Sequence, residues 1–476
     1  MLSSVFPLGL LLLCLHHRVV DAAQQCRLQL NGKASGASVT STSTSPQNAP
    51  SLTGPTTSTA GTATASSGAS ASASATPLPP FPYGTTPIRG VNLGGWFMTE
   101  PWITPSLFNN TGNPAIVDEF TFGQLQDPDT ALSAMQNHWA TWYTEDDFIA
   151  IAAAGLTHVR LPLAFWHVPL TSADTNGSTS VEPFIAGAWP YFLKALNWAN
   201  MHGIRVILDL HGAPGSQNGF DNSGQRTSDP IWSTSPANIS RTLDTLTFLT
   251  KHVGGLVDVV ELLNEPATFL NPSYPATLRQ FWTNGYNAVR AVGSNKVMIG
   301  DGFQGVDSWT DFLTSPAQGV LMDYHEYQIF SVPELSRSFD DHINFACSSM
   351  ADLTNFANNN IWTVVGEWST AVTDCALWLN GRGIGARWDG TWYTPNTPLG
   401  SCDGWTGSSS NFSSDYKTFL RQYWEVQVTM GENVQGWIYW TWKAENADDW
   451  SYQKGLEGGW IPQDPTDRLY PNICNS

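Results

Sequence analysis

Residues 257–266 read VDVVELLNEP. The apolar run Val257 to Leu263 ends in Asn264-Glu265-Pro266, so a strand read here delivers a glutamate at its C-terminal tip. Seven further short apolar runs share this character: Ile88 to Leu93, His158 to Leu161, Arg205 to Leu210, Lys296 to Ile299, Val320 to Tyr324, Ile361 to Val365 and Val434 to Tyr439. Segments of helical period lie between them, among them Glu145 to Ala154, Trp189 to Met201, Pro236 to His252, Ala276 to Val292 and Asp340 to Asn358. Alternation of this kind is the pattern of a parallel sheet wrapped by helices. Eight repeats between Thr86 and the C-terminus favour a closed (β/α)8 barrel over an open doubly wound sheet.

The insertions are uneven. About 50 residues follow the first strand, about 25 the third and about 45 the seventh, and loops of this length inside a compact domain usually serve function. All three follow strand C-termini, so in a barrel they rise around one mouth and wall it into a pocket.

The seventh run ends in Val364-Val365-Gly366-Glu367-Trp368 and so presents a second glutamate. Strands four and seven lie on different arcs of an eight-stranded barrel, and their tips face each other across the mouth. Paired carboxyls about 5 Å apart perform a retaining double displacement at a sugar, whereas a gap of roughly 6.5–9.5 Å admits a water and gives inversion. The other tips carry Arg160, His211, His325-Glu326-Tyr327 and Tyr439-Trp440, where barrel enzymes keep their active sites. Glu265 is read as the acid/base and Glu367 as the nucleophile. Arg160 and Tyr327 are the donors expected to keep Glu367 ionised. Partial burial and the charge of Glu367 are expected to raise the pKa of Glu265. Asn264 offers an amide to the sugar 2-OH, Trp440 a floor under the ring, and His211 and His325 hydrogen bonds to hydroxyls or carboxylates.

Composition agrees with a neutral ligand. A net charge of −19 argues against nucleic acid or an anionic membrane as partner, and 22 Trp residues offer flat faces to sugars. No zinc-protease helix, calcium loop, P-loop or nucleophile elbow is found, so neither metal nor cofactor is implied. Stability requires no partner, and a monomer is expected.

Residues 1–22 read as an export signal, with an apolar run from Val5 to Leu15 too short to span a bilayer. Residues 23–85 read as a disordered stalk: no charged residue occurs from Ala34 to Tyr83, and Ser, Thr, Ala, Gly and Pro predominate. Residues 86–476 form the catalytic domain. Asn109, Asn176, Asn238 and Asn411 head glycosylation sequons. Beyond Cys14 in the leader, the five cysteines leave one thiol over in an exported chain; Cys26 is the candidate, free or intermolecular.

Seven ordered blocks give a resemblance. IRGVNLGGWFMTEPWITPSLF from Ile88, HVRLPLAFW from His158, LDLHGAPGSQNGFDNSG from Leu208, ELLNEP from Glu261, DYHEYQIF from Asp323, VVGEWSTAVTDC from Val364 and YWTWKAENADDW from Tyr439 together resemble glycoside hydrolase family 5, and within it the fungal exo-β-1,3-glucanases. The resemblance implies that Glu265 and Glu367 are catalytic and that Arg160, His211, Asn264, His325, Tyr327 and Trp440 line the first glucose subsite. It adds Glu100 on the terminal glucose, Phe220 and Phe330 as an aromatic pair at the entrance, and disulfides Cys347–Cys474 and Cys375–Cys402. The function implied is a secreted, extracellular or wall-associated retaining enzyme that releases glucose from β-1,3-glucan ends. An endo-acting or β-1,6-specific glucanase uses the same catalytic pair, and a non-catalytic glucan-binding protein would keep the fold alone.

Overall fold

Within the apolar runs a period of two decides the architecture. In the computed structural model, which describes residues 78–392 and 397–474, eight strands form a closed parallel barrel. They are β1 (Ile88–Asn92), β2 (His158–Ala164), β3 (Arg205–Gly212), β4 (Val259–Glu261), β5 (Lys296–Gly300), β6 (Val320–Glu326), β7 (Trp362–Trp368) and β8 (Gly436–Tyr439), paired in chain order with β8 closing on β1. The export signal, Cys26 and the stalk up to residue 77 lie outside the described residues.

Alternate strand residues separate into two layers. Val206, Leu208, Val260, Leu262, Val297 and Met322 join the core between the sheet and the helices. Ile88, Ile207, Val259, Met298, Leu321, Val364 and Ile438 fill the lower half of the barrel interior. Two residues further along the same strands the interior turns polar: Asp209 follows Ile207, Glu261 follows Val259 and Asp323 follows Leu321, all buried. The lower end is closed by Phe81 and Tyr83, with Tyr83 Oη 3.1 Å from His158 Nε2. Ordered packing therefore begins ahead of Thr86.

The surrounding helices are α1 (Glu145–Ala153), α2 (Trp189–Met201), α3 (Pro236–Val253), α4 (Tyr274–Val292), α5 (Phe339–Asn359) and α6 (Ser414–Glu432). Between β5 and β6 the described residues form only the single turn Val306–Trp309. Two disulfides are present, Cys347–Cys474 and Cys375–Cys402, and the second closes part of the loop between β7 and α6. Among the described residues no helix is long and apolar enough to cross a membrane.

The expected strand over Val257 to Leu263 is shorter in the structure. Leu262 N still donates to Met298 O at 3.0 Å and Asn264 N to Leu210 O at 3.0 Å, but Glu265 adopts a left-handed φ of 43°. A non-glycine residue holds that conformation only where its surroundings enforce it. Strand β7 bends as well: Tyr324 pairs with Val365 and His325 with Glu367, so Gly366 is an extra residue in the ladder.

A Cβ on Gly366 would lie 1.8 Å from Asp323 Oδ1. Gly366→Ala is therefore expected to destabilise the protein by about 1–3 kcal/mol through overpacking and to lower kcat by at least about tenfold, since Asp323 and Glu367 both border the change. Gly300→Ala, where a methyl meets nothing within 4 Å, is expected to change neither. Thermal unfolding and turnover of the two variants check this.

Candidate active site

The mouth of the barrel is organised around Arg160 of β2. Its guanidinium has no exposed surface, and a buried cation persists only when it is paired and fully hydrogen-bonded. Nε and Nη2 donate to the two oxygens of Glu261 at 2.6 and 2.9 Å. Nη2 also donates to Asn264 Oδ1 at 2.7 Å and lies 3.1 Å from Asp209 Oδ2. Nη1 donates to Glu367 Oε1 at 2.8 Å and to Asn92 Oδ1 at 3.1 Å. Asn92 Nδ2 donates in turn to Gly366 O at 2.9 Å, which ties the β7 bulge to the same group.

These contacts fix orientations. Asn264 Oδ1 is occupied by Arg160, so Nδ2 faces His211 Nε2 at 3.3 Å. His211 Nδ1 is 2.5 Å from Asp209 Oδ2, which places the proton on Nδ1 and the lone pair on Nε2. The His211 ring stacks near Trp440, with ring centres 5.7 Å apart and planes within 16°.

His325 joins the two glutamates. Its Nδ1 is 2.9 Å from Glu265 Oε1 and 3.5 Å from Glu367 Oε2, while Nε2 is 3.1 Å from Asp323 Oδ2. One oxygen of each glutamate and a ring nitrogen of His325 all lie within 4.8 Å of one another. Tyr327 Oη donates to Glu367 Oε2 at 3.2 Å, and Asn222 Nδ2 donates to Glu265 Oε2 at 2.9 Å. A carboxyl pair this close matches the separation of about 5–5.5 Å used in covalent double displacement and leaves no room for the water that inversion requires.

Residues 123–380 match the Cellulase (glycosyl hydrolase family 5) family. The chain belongs to glycosyl hydrolase family 5. A protein of Blumeria graminis named glucan 1,3-beta-glucosidase is 41% identical over 83% of this chain and 91% of its own length. A Schwanniomyces occidentalis protein of the same name is 42% identical over 82% and 91%. The crystal structure of rutinosidase from Aspergillus niger superposes with a TM-score of 0.61 at 18% identity, covering 79% of this chain and 98% of that one, a likeness of fold.

In this family 5 glycoside hydrolase the remaining expected residues lie at the same mouth. Glu100 is buried, accepts from Trp102 Nε1 at 2.9 Å, and its Oε1 has no partner among the described residues. Phe330 is 38% exposed and packs edge-on to Tyr327 at 5.7 Å. Phe220 precedes the turn Asp221–Ser223, which carries Asn222.

The electrostatics depart from the sequence expectation at Glu265. Burial raises that carboxyl, but the His325 hydrogen bond and charge, joined by Asn222, outweigh it and bring the pKa below its ordinary value. Burial would lower His325, yet Glu367, Asp323 and Glu265 raise it well above its usual range. Burial holds Glu367 above its ordinary value against the pull of His325 and Arg160. In the free site the proton therefore rests on His325, between carboxylates.

Sequence reasoning passed over Asn222, Asn92 and the interior acids Asp209, Glu261 and Asp323. For the acids a signal existed, a charge inside a run otherwise buried on both faces. For Asn222, in an irregular loop, none did.

Asn222 favours the ionised form of Glu265, so Asn222→Ala raises the Glu265 pKa. The proton that the His325–Glu265 pair holds for the leaving group then survives to higher pH. The alkaline limb of kcat/KM on an oligosaccharide is expected to move up by about one unit; a limb that stays put or moves down contradicts this assignment.

Proposed function

We propose that the protein is a secreted, monomeric, retaining exo-β-1,3-glucanase that releases glucose from the non-reducing ends of extracellular or wall β-glucan. The observation that carries this reading is a close glutamate pair inside a mouth whose long loops are knitted shut on one side. Arg382 of the loop between β7 and α6 donates to the carbonyls of Asn113 and Ile116 in the loop between β1 and α1. Arg226, in the loop between β3 and α3, donates to Arg382 O at 3.1 Å, and Phe120 N donates to Gly224 O at 2.9 Å. Three loops bound to one another form a wall, which favours a chain end over a chain middle. The names carried by the 41–42% identical relatives support the linkage.

The residues divide the work as follows. A glucoside entering between Glu265 and Glu367 strips water from the pair, which favours neutral groups. The proton on His325 Nδ1 passes to Glu265 and from there to the glycosidic oxygen. Glu367, oriented by Arg160 and Tyr327, attacks the anomeric carbon and forms a glucosyl ester. The aglycone leaves with the proton. With Glu367 esterified its charge is gone, and Glu265 takes a proton from water as that water attacks the same carbon. Inversion at each of the two steps returns the β configuration.

Asn264 supplies its second amide proton to the 2-OH, and Trp440 lies under the ring. Glu100, raised well above the carboxylate range by burial and the nearby Asp221, accepts from hydroxyls of the terminal glucose through its unpartnered oxygen. Phe220 and Phe330 clamp the next glucose at the entrance.

Incubation with laminarin and with pustulan, following product size and anomer, tests the reading. Glucose from laminarin, appearing first as the β-anomer, is expected. Oligosaccharide ladders, release from pustulan alone, or early α-glucose would overturn the mode, the linkage or the mechanism respectively.

A further inference from the structure

A second cavity, of about 260 Å3, lies on the mouth side of the barrel between the β6–α5 and β7–α6 connections. The reaction makes no use of it. Phe339, Val372 and the indoles of Trp388 and Trp405 wall it, with the two indole centres 5.4 Å apart and their planes at 60°. Arg337 and His342 supply its polar groups.

The hydrogen bonds around His342 determine what it offers. Gln328 Nε2 donates to His342 O at 3.2 Å, and Gln328 Oε1 accepts from Arg337 Nη1 at 2.9 Å. His342 Nδ1, 3.1 Å from that same oxygen, must therefore carry a proton. Burial and Arg337 lower the His342 pKa to about 4, so the ring is neutral and Nε2 presents a lone pair. His342 is only 1% exposed as a residue, but its Nε2 and Trp405 Nε1 are not sealed off and keep surface open to solvent at the cavity. An acceptor and a donor that open into one cavity hydrogen-bond water there and suit a ligand whose groups both donate and accept.

The combination is selective. An anion would meet Arg337 but also the His342 lone pair, and an apolar molecule would leave donor and acceptor unpaired. A pyranose offers C–H faces to the indoles and hydroxyls that both donate and accept. Leu335, also in the cavity wall, belongs to the apolar cluster that holds Trp440, with Tyr327 and Trp388 packed against it. The cavity is thus continuous with the packing behind the catalytic mouth.

We propose that this cavity is an ancillary site for one glucosyl unit of a β-glucan chain, holding polymer beside the catalytic mouth. It rests on the glucanase reading for its ligand. Trp388→Ala and Trp405→Ala are expected to raise KM for laminarin by about fivefold with kcat unchanged, and to leave kcat/KM for 4-nitrophenyl β-glucoside at the parent value. Trp405→Phe, which keeps most of the packing and loses the N–H, should show a smaller rise. Unchanged laminarin KM in all three variants, or equal losses on polymer and aryl glucoside, overturns the proposal. A parent that fails on laminarin overturns the glucanase reading instead. Retardation of parent and variants in gels containing laminarin or pustulan then decides the cavity separately: weaker retardation of the Trp variants supports it, and identical mobility overturns it.

Discussion

A single buried guanidinium constrains the upper half of this barrel. Arg160 has no contact with solvent, and isolated burial of such a charge would be prohibitive. It is retained because Asp209, Glu261 and Glu367 lie within hydrogen-bonding reach and Asn92 and Asn264 supply neutral acceptors. The five partners come from β1, β3, β7 and, twice, from β4 and its tip, so satisfying one cation draws β1, β3, β4 and β7 into register around β2. The two-pronged grip on Glu261 fixes the plane of the guanidinium, and that plane determines which way Asn264, and through it His211, must point.

The same constraint explains why carboxylates enter the barrel interior at the level of Arg160. Below it, Ile207, Val259, Leu321 and their neighbours pack as an ordinary apolar core sealed by Phe81 and Tyr83. Above it, bulge and left-handed turn take over: Gly366 re-aims the end of β7, and Glu265 leaves β4 with φ 43°. Stability is concentrated at the lower end and chemistry at the upper. The first described residues lie at the end opposite the catalytic mouth.

Much of this was legible beforehand, for physical reasons. Strands β1, β3 and β5 and the helices α2 and α3 fall within a residue or two of the periodic segments, because burial on two faces or one leaves distinct patterns. Glu265 and Glu367 stood out as acids directly after apolar runs. The interior acids gave a weaker signal, because a charge inside a run such as VILDL has no evident role until Arg160 on the neighbouring strand is known to face it. Strands β6 and β7 run further than their apolar stretches, since His325-Glu326 and Gly366-Glu367 carry no hydrophobic signal, whereas β2 continues through Pro162-Leu163-Ala164, where a proline reads as a strand end. The Glu265 pKa falls where burial alone would raise it because of His325, whose 2.9 Å contact depends on two strands meeting in space and so leaves no mark in either strand's own sequence.

The central claim is that Arg160 and Tyr327 hold Glu367 as the attacking carboxylate while Glu265 handles the proton. Its most direct test is to trap the intermediate with a 2-deoxy-2-fluoro-β-glucoside carrying a good leaving group, then to digest the protein and find the labelled peptide by mass spectrometry. One fluoroglucosyl group esterified to Glu367 is the result expected. A label on Glu265, or inactivation without any covalent adduct, would contradict the account.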